Sequence, residues 1–173
     1  MKLKSALGGL AALGLVMSAG VASAETWPAT TFNEMVNEAS TCVKARVLRS
    51  DVRRLNGAVY TLTTFEIQET AFGQGFARIA VRTEGGSFES GGFQLSEVGS
   101  HGVRFFADQE VVMFLDRFRN TRTFTPALGG QGIFTIRDGE VQLPILGNEP
   151  VEVGVALNTI ADLRRQNAKN AAQ

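Results

Sequence analysis

The sequence predicts an all-β domain: a small closed or partly closed antiparallel barrel with a short N-terminal helix and a C-terminal helix. About seven or eight short segments rich in β-branched and aromatic residues follow one another, with turn residues at intervals of about 8–12 positions. Helical periodicity is confined to the two ends of the chain after an apolar leader. Most glycines stand at predicted turns or where a barrel strand has to bend. These observations favour a barrel over a helical or α/β fold.

The beginning of the chain is typical of an export signal. Lys2 and Lys4 precede an uncharged and mostly apolar stretch, which closes with the small-x-small motif Ala22-Ser23-Ala24. We therefore expect a Sec-type signal peptide over 1–24, cleaved after Ala24, and a bacterial periplasmic or secreted protein. An uncleaved membrane anchor is the alternative, because the apolar stretch carries no charge. No later apolar run has the length of a membrane span, so we expect no span after cleavage.

Charge and composition exclude several classes of function. The chain has 17 Lys and Arg against 17 Asp and Glu, and removing the two signal lysines leaves 15 against 17. This balance gives no strong field to attract nucleic acid, so we expect no nucleic-acid partner. The single cysteine excludes an intramolecular disulfide and a multi-cysteine zinc site, and the single histidine excludes a His-pair metal site. We expect no cofactor and no metal.

Three parts follow the signal. Residues 25–40 are predicted to form a lead-in and a short helix, with Thr31 as the N-cap and Glu34 completing a capping box. Residues 41–145 are predicted to form the β-barrel domain. Residues 146–173 are predicted to form a linker, the C-terminal helix and a frayed tail.

The strands are predicted from alternation, apolar runs and turn signals. In chain order they cover 41–49, 59–71, 76–83, 87–93, 111–115, 123–127, 132–136 and 140–143. Asn56-Gly57 predicts the turn of the first hairpin, and Arg137-Asp138-Gly139 predicts a hairpin between the last two strands. The run 111–115 is apolar at every position, so we expect both of its faces to be covered.

The C-terminal helix is predicted over 157–166, with Asn158 as its cap. Arg164 and Arg165 fall in its predicted last turn, where their charges complement the helix dipole. The polar and alanine-rich residues 167–173 are predicted to be a frayed tail.

Four runs resemble a group of short exported bacterial β-domains. They cover 60–69, 81–86, 98–115 and 132–136. The resemblance extends over residues 41–143 and departs at Phe72-Gly73, where the group often has Lys-Gly, and at Gln109, where it tends to have Gly. It implies a small closed sheet of OB-like size and carries no catalytic assignment, because the matching positions are mostly turn glycines and core residues. Related domains occur alone or in exported proteins beside metalloprotease-like segments.

The sequence contains no recognised catalytic motif. His-Glu-x-x-His and Gly-x-Ser-x-Gly are absent, and the glycine-rich runs 73–75 and 129–132 do not continue as nucleotide-binding motifs. We therefore assign no catalytic, cofactor-binding or metal-binding residue.

Cys42 opens the first predicted strand and has two interpretations. By alternation its side chain shares a face with Lys44 and Arg46, whose charges would lower the pKa of the thiol and make it reactive or dimer-forming. The other interpretation is a small buried residue under the N-terminal helix.

Two further groups have a structural and a chemical interpretation. His101, beside Ser100 between two glycines, is either a solvent-exposed loop histidine or a general base or lone metal ligand. Asp108, Glu110 and Asp116 flank the apolar strand, either as polar strand ends or as paired carboxylates of the kind that glycoside hydrolysis uses.

A basic and aromatic cluster follows the apolar strand. It consists of Arg117, Arg119 and Arg122 with Phe118 and Phe124. Its interpretations are a solvated hairpin turn and a site for a phosphate, a glycan or an acidic partner.

Predicted export, a good core and the lack of a catalytic motif together predict a non-enzymatic binding or interaction domain. Its ligand stays open, and an exported or envelope protein is the expected partner. The alternatives are a hydrolase or protease-associated accessory domain and an envelope structural protein. An enzyme would show a cleft where carboxylates or His101 converge, whereas a binding module would show an exposed basic and aromatic patch.

Overall fold

The computed structural model describes residues 32–90, 93–99, 103–118, 123–146 and 149–173. In these ranges the chain is mostly β, with a partly ring-shaped sheet and two helices. The elements are α1 (Phe32–Glu38), β1 (Thr41–Leu55), β2 (Ala58–Phe72), β3 (Arg78–Ser90), β4 (Phe93–Val98), β5 (Glu110–Arg117), β6 (Thr123–Pro126), β7 (Ile133–Thr135), β8 (Glu140–Gln142), β9 (Pro150–Glu152) and α2 (Val153–Asn170). The predicted signal peptide, 1–24, and the predicted N-cap Thr31 lie outside the described residues.

Five strands follow one another around the ring. β1 pairs with β2, β2 with β3, β3 with β6, β6 with β5, and β5 again with β1. All of these pairings are antiparallel except that of β3 with β6, which is limited to Ala80 with Thr123 and Val81 with Phe124. A ring with an odd number of alternating strands must contain one parallel pair. The prediction of a closed or partly closed antiparallel barrel is therefore confirmed in part: the ring is partly closed, and its β3–β6 pairing is parallel.

β1 and β2 form a long hairpin that continues through the polar residues after position 49. Its turn is confirmed at Asn56 and Gly57, whose φ angles of 52° and 83° suit a two-residue hairpin turn. The pairing of β1 with β2 contains three register shifts, two with the extra residue in β2 and one with the extra residue in β1. Along its other edge, β1 pairs with β5.

The separate strand predicted over 87–93 is wrong. β3 continues to Ser90, and β4 starts at Phe93 and folds back antiparallel onto the end of β3. The glycines expected to interrupt the chain lie inside β3 instead. Gly86 has a φ of 151°, and a Cβ at this position would lie 2.8 Å from a methyl carbon of Val52. Glycine therefore permits a close approach between strands here.

The second predicted hairpin is correct only at its turn. Asp138 and Gly139 have φ angles of 53° and 81°. Arg137 and Glu140 exchange two backbone hydrogen bonds of 2.9 Å across them. Beyond this bridge the flanking strands separate: β7 pairs with β5, and β8 pairs with β9, a strand that the sequence did not predict.

Helix α2 starts five residues before its predicted cap. The Glu152 carboxylate accepts hydrogen bonds from the backbone N–H groups of Gly154, at 2.9 Å, and Val155, at 3.0 Å. Asn158 lies inside the helix, so the prediction that it is the cap is wrong. The helix also continues to Asn170, which makes most of the predicted tail helical. Neither helix in the described ranges is long and apolar enough to cross a membrane.

Two hydrophobic cores lie on opposite faces of β5. The inner core fills the ring and contains Val43, Ala45, Val47, Phe65, Ile79, Val81, Val111, Met113, Leu115 and Phe124. The outer core joins the helices to the ring and includes Phe32, Val36, Cys42, Val112, Phe114, Leu143, Leu157 and Ile160. Residues Val111 to Leu115 are 0% exposed, which confirms that this run is covered on both faces.

Candidate functional site

The strand register places Arg82 on the outer face of the ring, away from the inner core. Along β2 the inward positions Thr63 and Phe65 are buried, whereas the alternate positions Tyr60 and Leu62 are half-buried on the outer side. Arg82 is the direct cross-strand partner of Leu62, and directly paired residues project from the same face of a sheet. The sheet therefore presents Arg82 beside the side chains of Tyr60 and Leu62, with Glu84, the cross-strand partner of Tyr60, on the same face.

Two aromatic rings hold the guanidinium of Arg82. Its central carbon lies 4.5 Å from the centroid of the Tyr60 ring and 4.7 Å from that of Phe118. The backbone N–H of Phe118 donates to the Thr123 carbonyl at 2.8 Å, which fixes this ring where β5 leads into its connection to β6. Each such cation–π contact contributes about 0.5–2 kcal/mol. Among the residues that the structure describes, Arg82 forms no salt bridge with a carboxylate.

Two cross-strand pairs further along this face, the charged side chains have a different arrangement. Arg46, Glu66 and Arg78 lie side by side across β1, β2 and β3. Arg46 donates to Glu66 at 2.7 Å, and this hydrogen bond raises the pKa of the Arg46 guanidinium. An internal ion pair neutralises Arg46, so Arg82 is the cation better suited to an external ligand.

A small pocket lies beside Arg82 at the seam between β3 and β6. It has a volume of about 190 Å³. Its described lining consists of Arg82, Thr83, Glu84, Val103, Thr125, Pro126, Gly129 and Gly130. The pocket exists because the two strands pair only as far as Val81 and Phe124 and then separate.

The described members of the predicted basic and aromatic cluster lie at two places, because Arg117 and Phe124 are direct cross-strand partners that both contact the Phe76 ring. Phe124 is 3% exposed in the inner core. Arg117 donates a hydrogen bond to the side-chain oxygen of Gln74, and its guanidinium lies 5.9 Å from the Phe76 ring centroid. Phe118 contacts Arg82 on the outer face. The other two members, Arg119 and Arg122, lie outside the described residues.

The flanking carboxylates do not converge on a cleft. Glu110 accepts a hydrogen bond from Gln68 at 2.5 Å and lies 3.9 Å from the Lys44 ammonium. Asp116 accepts the backbone N–H of Ser40 at 3.0 Å, near the other end of β5. Asp108 has a φ of 61° in the turn before β5. Within the described ranges no group of three His, Cys, Asp or Glu side chains has a metal-binding arrangement.

The structure describes the surroundings of the single cysteine but not those of the single histidine. Cys42 is 0% exposed in the outer core, beside residues of both helices, and its burial raises the pKa of the thiol. This position supports the interpretation as a small buried residue. His101 and Ser100 lie outside the described residues.

Sequence reasoning missed Tyr60 and Arg82, which form the centre of the site. Alternation along each strand indicates which side of its own strand each residue occupies. Only the pairing of β2 with β3 brings the two residues together. Cross-strand alignment of 60–66 with 78–84 would have placed Arg82 opposite Leu62 and one step from Tyr60.

Comparisons of the chain with known protein families, curated protein sequences and solved structures find no match.

Proposed function

We propose that the protein is an exported, non-enzymatic binding domain that contacts an exported or envelope protein through the outer face of β2 and β3. The observation that carries this proposal is Arg82, a cation held over two aromatic rings and without a carboxylate partner among the described residues. Arginine and tyrosine are enriched among the residues that dominate protein interfaces. A pre-positioned arginine also loses less conformational entropy on binding than a free one.

The strand arrangement supports the same face. We propose that the ring is an OB-like barrel, since its order of β1, β2, β3, β6, β5 returns to β1 with a single parallel pair. OB-type barrels bind ligands on the face of their second and third strands and on nearby loops. The corresponding strands here are β2 and β3, and Phe118 contacts Arg82 of β3.

The non-enzymatic part of the proposal rests on the carboxylates around β5. Glu110 is engaged by Gln68 and Lys44, and Asp116 is engaged by a backbone N–H group. A general acid or base needs a free approach to substrate, which these contacts oppose.

Site-specific photo-crosslinking in the producing cells tests this function. Leu62, on the proposed face, is replaced by a benzophenone amino acid, and exposed Val155 on α2 is replaced as the matched control. We expect a discrete crosslinked protein from position 62 and none from position 155. The purified chain should begin at Glu25 if the signal is cleaved as predicted.

A second variant separates the site from the general surface. Arg82→Gln in the position-62 background should remove the crosslinked species, because the neutral amide lacks the charge and has two N–H donors on one nitrogen instead of the five of the guanidinium fork. Equal crosslinking from positions 62 and 155, or crosslinking unaffected by Arg82→Gln, would contradict the proposal.

A further inference from the structure

We propose that Arg82 and the seam pocket between β3 and β6 bind a carboxylate that bears a short apolar group. This inference rests on the proposed function, because both use the same outer face. It adds the chemistry of the ligand: the carboxylate pairs with Arg82, and the apolar group enters the pocket.

The first step concerns the orientation of Arg82. Its guanidinium lies over the Tyr60 and Phe118 rings, at 4.5 Å and 4.7 Å from their centroids. A guanidinium carries its five N–H donors along the edge of its plane, and the two rings provide no oxygen acceptor for them. Two parallel donors on that edge match the two oxygens of a carboxylate, with a charge-assisted hydrogen bond to each.

The second step concerns the size of the pocket. Its volume of about 190 Å³ is below the ~300–1,000 Å³ of ordinary small-molecule sites, so only a short group fits. Val103 and Pro126 give it apolar walls, and Gly129 and Gly130 contribute no side chains that would fill it. A small aliphatic group is therefore the best match to this space.

The third step concerns the floor of the pocket. The Thr83 side chain lines it, and the Thr83 hydroxyl is buried with no hydrogen-bond partner in the described part of the molecule. Buried hydroxyls normally have a partner, so an unpaired one beside a cavity indicates a place where an acceptor is missing.

Binding measurements with three probes test the ligand chemistry. The probes are isovalerate, the tripeptide Ala-Ala-Val with a free C-terminal carboxylate, and the same tripeptide amidated at its C-terminus. Titration calorimetry on the mature chain should detect at least one of the two carboxylates and not the amide. Tighter binding of isovalerate indicates a free small acid as the source, and tighter binding of the tripeptide acid indicates a peptide C-terminus.

Two variants locate the binding. Arg82→Gln should weaken carboxylate binding by about 10- to 100-fold, the loss typical of a charge-assisted hydrogen-bond pair. Arg78→Gln is the matched control, because Arg78 lies on the same strand and face but does not line the pocket, and its affinity should change less than about twofold. Thr125→Trp should block the pocket and abolish binding while circular dichroism stays native.

The inference is overturned if neither carboxylate binds, if the amide binds as tightly as the acid, or if Arg82→Gln binds like the parent. If only the ligand chemistry is wrong, the crosslink from position 62 should still form and should still be lost in Arg82→Gln. A crosslink that persists in Arg82→Gln would instead contradict the proposed function. The two experiments therefore distinguish a wrong ligand from a wrong binding face.

Discussion

Cys42 shows how burial decides the chemistry of one residue. Its side chain is 0% exposed, and desolvation raises the pKa of its thiol because the thiolate is penalised in an apolar core. Thiolate is the reactive form, so the native protein should react very slowly with a thiol reagent. We expect labelling by iodoacetamide to require unfolding, and its rate in the native chain to stay low at both neutral and mildly alkaline pH.

The denatured chain provides the control for this prediction, since an exposed thiol labels fully and faster at higher pH. Cys42→Ala should remove all labelling and keep the fold and oligomeric state, at a cost of about 1 kcal/mol for the lost side-chain contacts. Stoichiometric labelling of the native chain, or a covalent dimer on a non-reducing gel, would show that the thiol is accessible.

At the scale of residues, sequence reasoning works where the property is local. A small buried residue under the helix was one of two interpretations of Cys42, and both depended on which neighbours the fold would supply. Tyr60 and Arg82 belong to different strands, so their contact follows from pairing that no local pattern contains. Phe118 is separated from Arg117 and Phe124 for the same reason, because Arg117 and Phe124 meet through the pairing of β5 with β6 while Phe118 contacts Arg82 of β3.

Helix α1 depends on a cap from another element. It has only seven residues, too few for a helix that is stable on its own. Arg164 of α2 donates to the carbonyl oxygens of Val36 and Asn37, at 2.6 Å and 2.7 Å, near the end of α1. Its guanidinium also lies 5.0 Å from the Phe72 ring centroid. The arginine expected to serve the dipole of its own helix therefore caps a different one.

Arg164→Ala should lower the free energy of unfolding by about 1.5–3 kcal/mol, because it removes charged hydrogen bonds to otherwise unpaired carbonyls. Arg165→Ala is the matched control: the Arg165 side chain is 71% exposed and pairs with Asp162 on the same helix, so its removal should change the free energy by less than about 0.5 kcal/mol. Urea unfolding measures both. Equal effects of the two substitutions would mean that α1 does not depend on this cap.

The sequence predicted the start of α2 and the end of β3 wrongly, and each error has a physical reason. Asn158 has the side chain of a good cap, but Glu152 at the end of β9 already satisfies the first N–H groups of α2. A separate strand was predicted from position 87, yet β3 continues past Gly86, which allows the strand to pass close to Val52 of β1. The hairpin turn at Asn56-Gly57 was predictable because both of its special φ angles belong to the turn itself.

The whole molecule is organised around β5. This strand pairs with β1, β6 and β7, and its two faces belong to different cores. Its continuous apolar run predicted burial on both sides but not the identity of the two cores. The ring closure was equally beyond the sequence, because the parallel contact at Val81 and Phe124 joins segments far apart in the chain. Strand number and order therefore emerge only when all the pairings are fixed together.

Because β5 contributes to both cores, the barrel and the helices should unfold in a single transition. Leu115 lies in the inner core on β5 and Leu157 in the outer core on α2, and they are 0% and 1% exposed. Leu115→Ala and Leu157→Ala should each lower the free energy of unfolding by about 2–5 kcal/mol. In both variants, amide signals from α2 and from β2 should disappear at one urea concentration when followed by nuclear magnetic resonance.

The exposed Val155→Ala, on the same helix as Leu157, is the control and should leave the midpoint nearly unchanged. If Leu157→Ala released α2 at low urea while the β2 signals persisted, the outer core would be an independent unit and the coupling through β5 would be disproved. A single transition in both variants would instead mean that the face presented by β2 and β3 depends on the packing of the helices against the ring. Changes in that packing would then alter binding without touching Arg82.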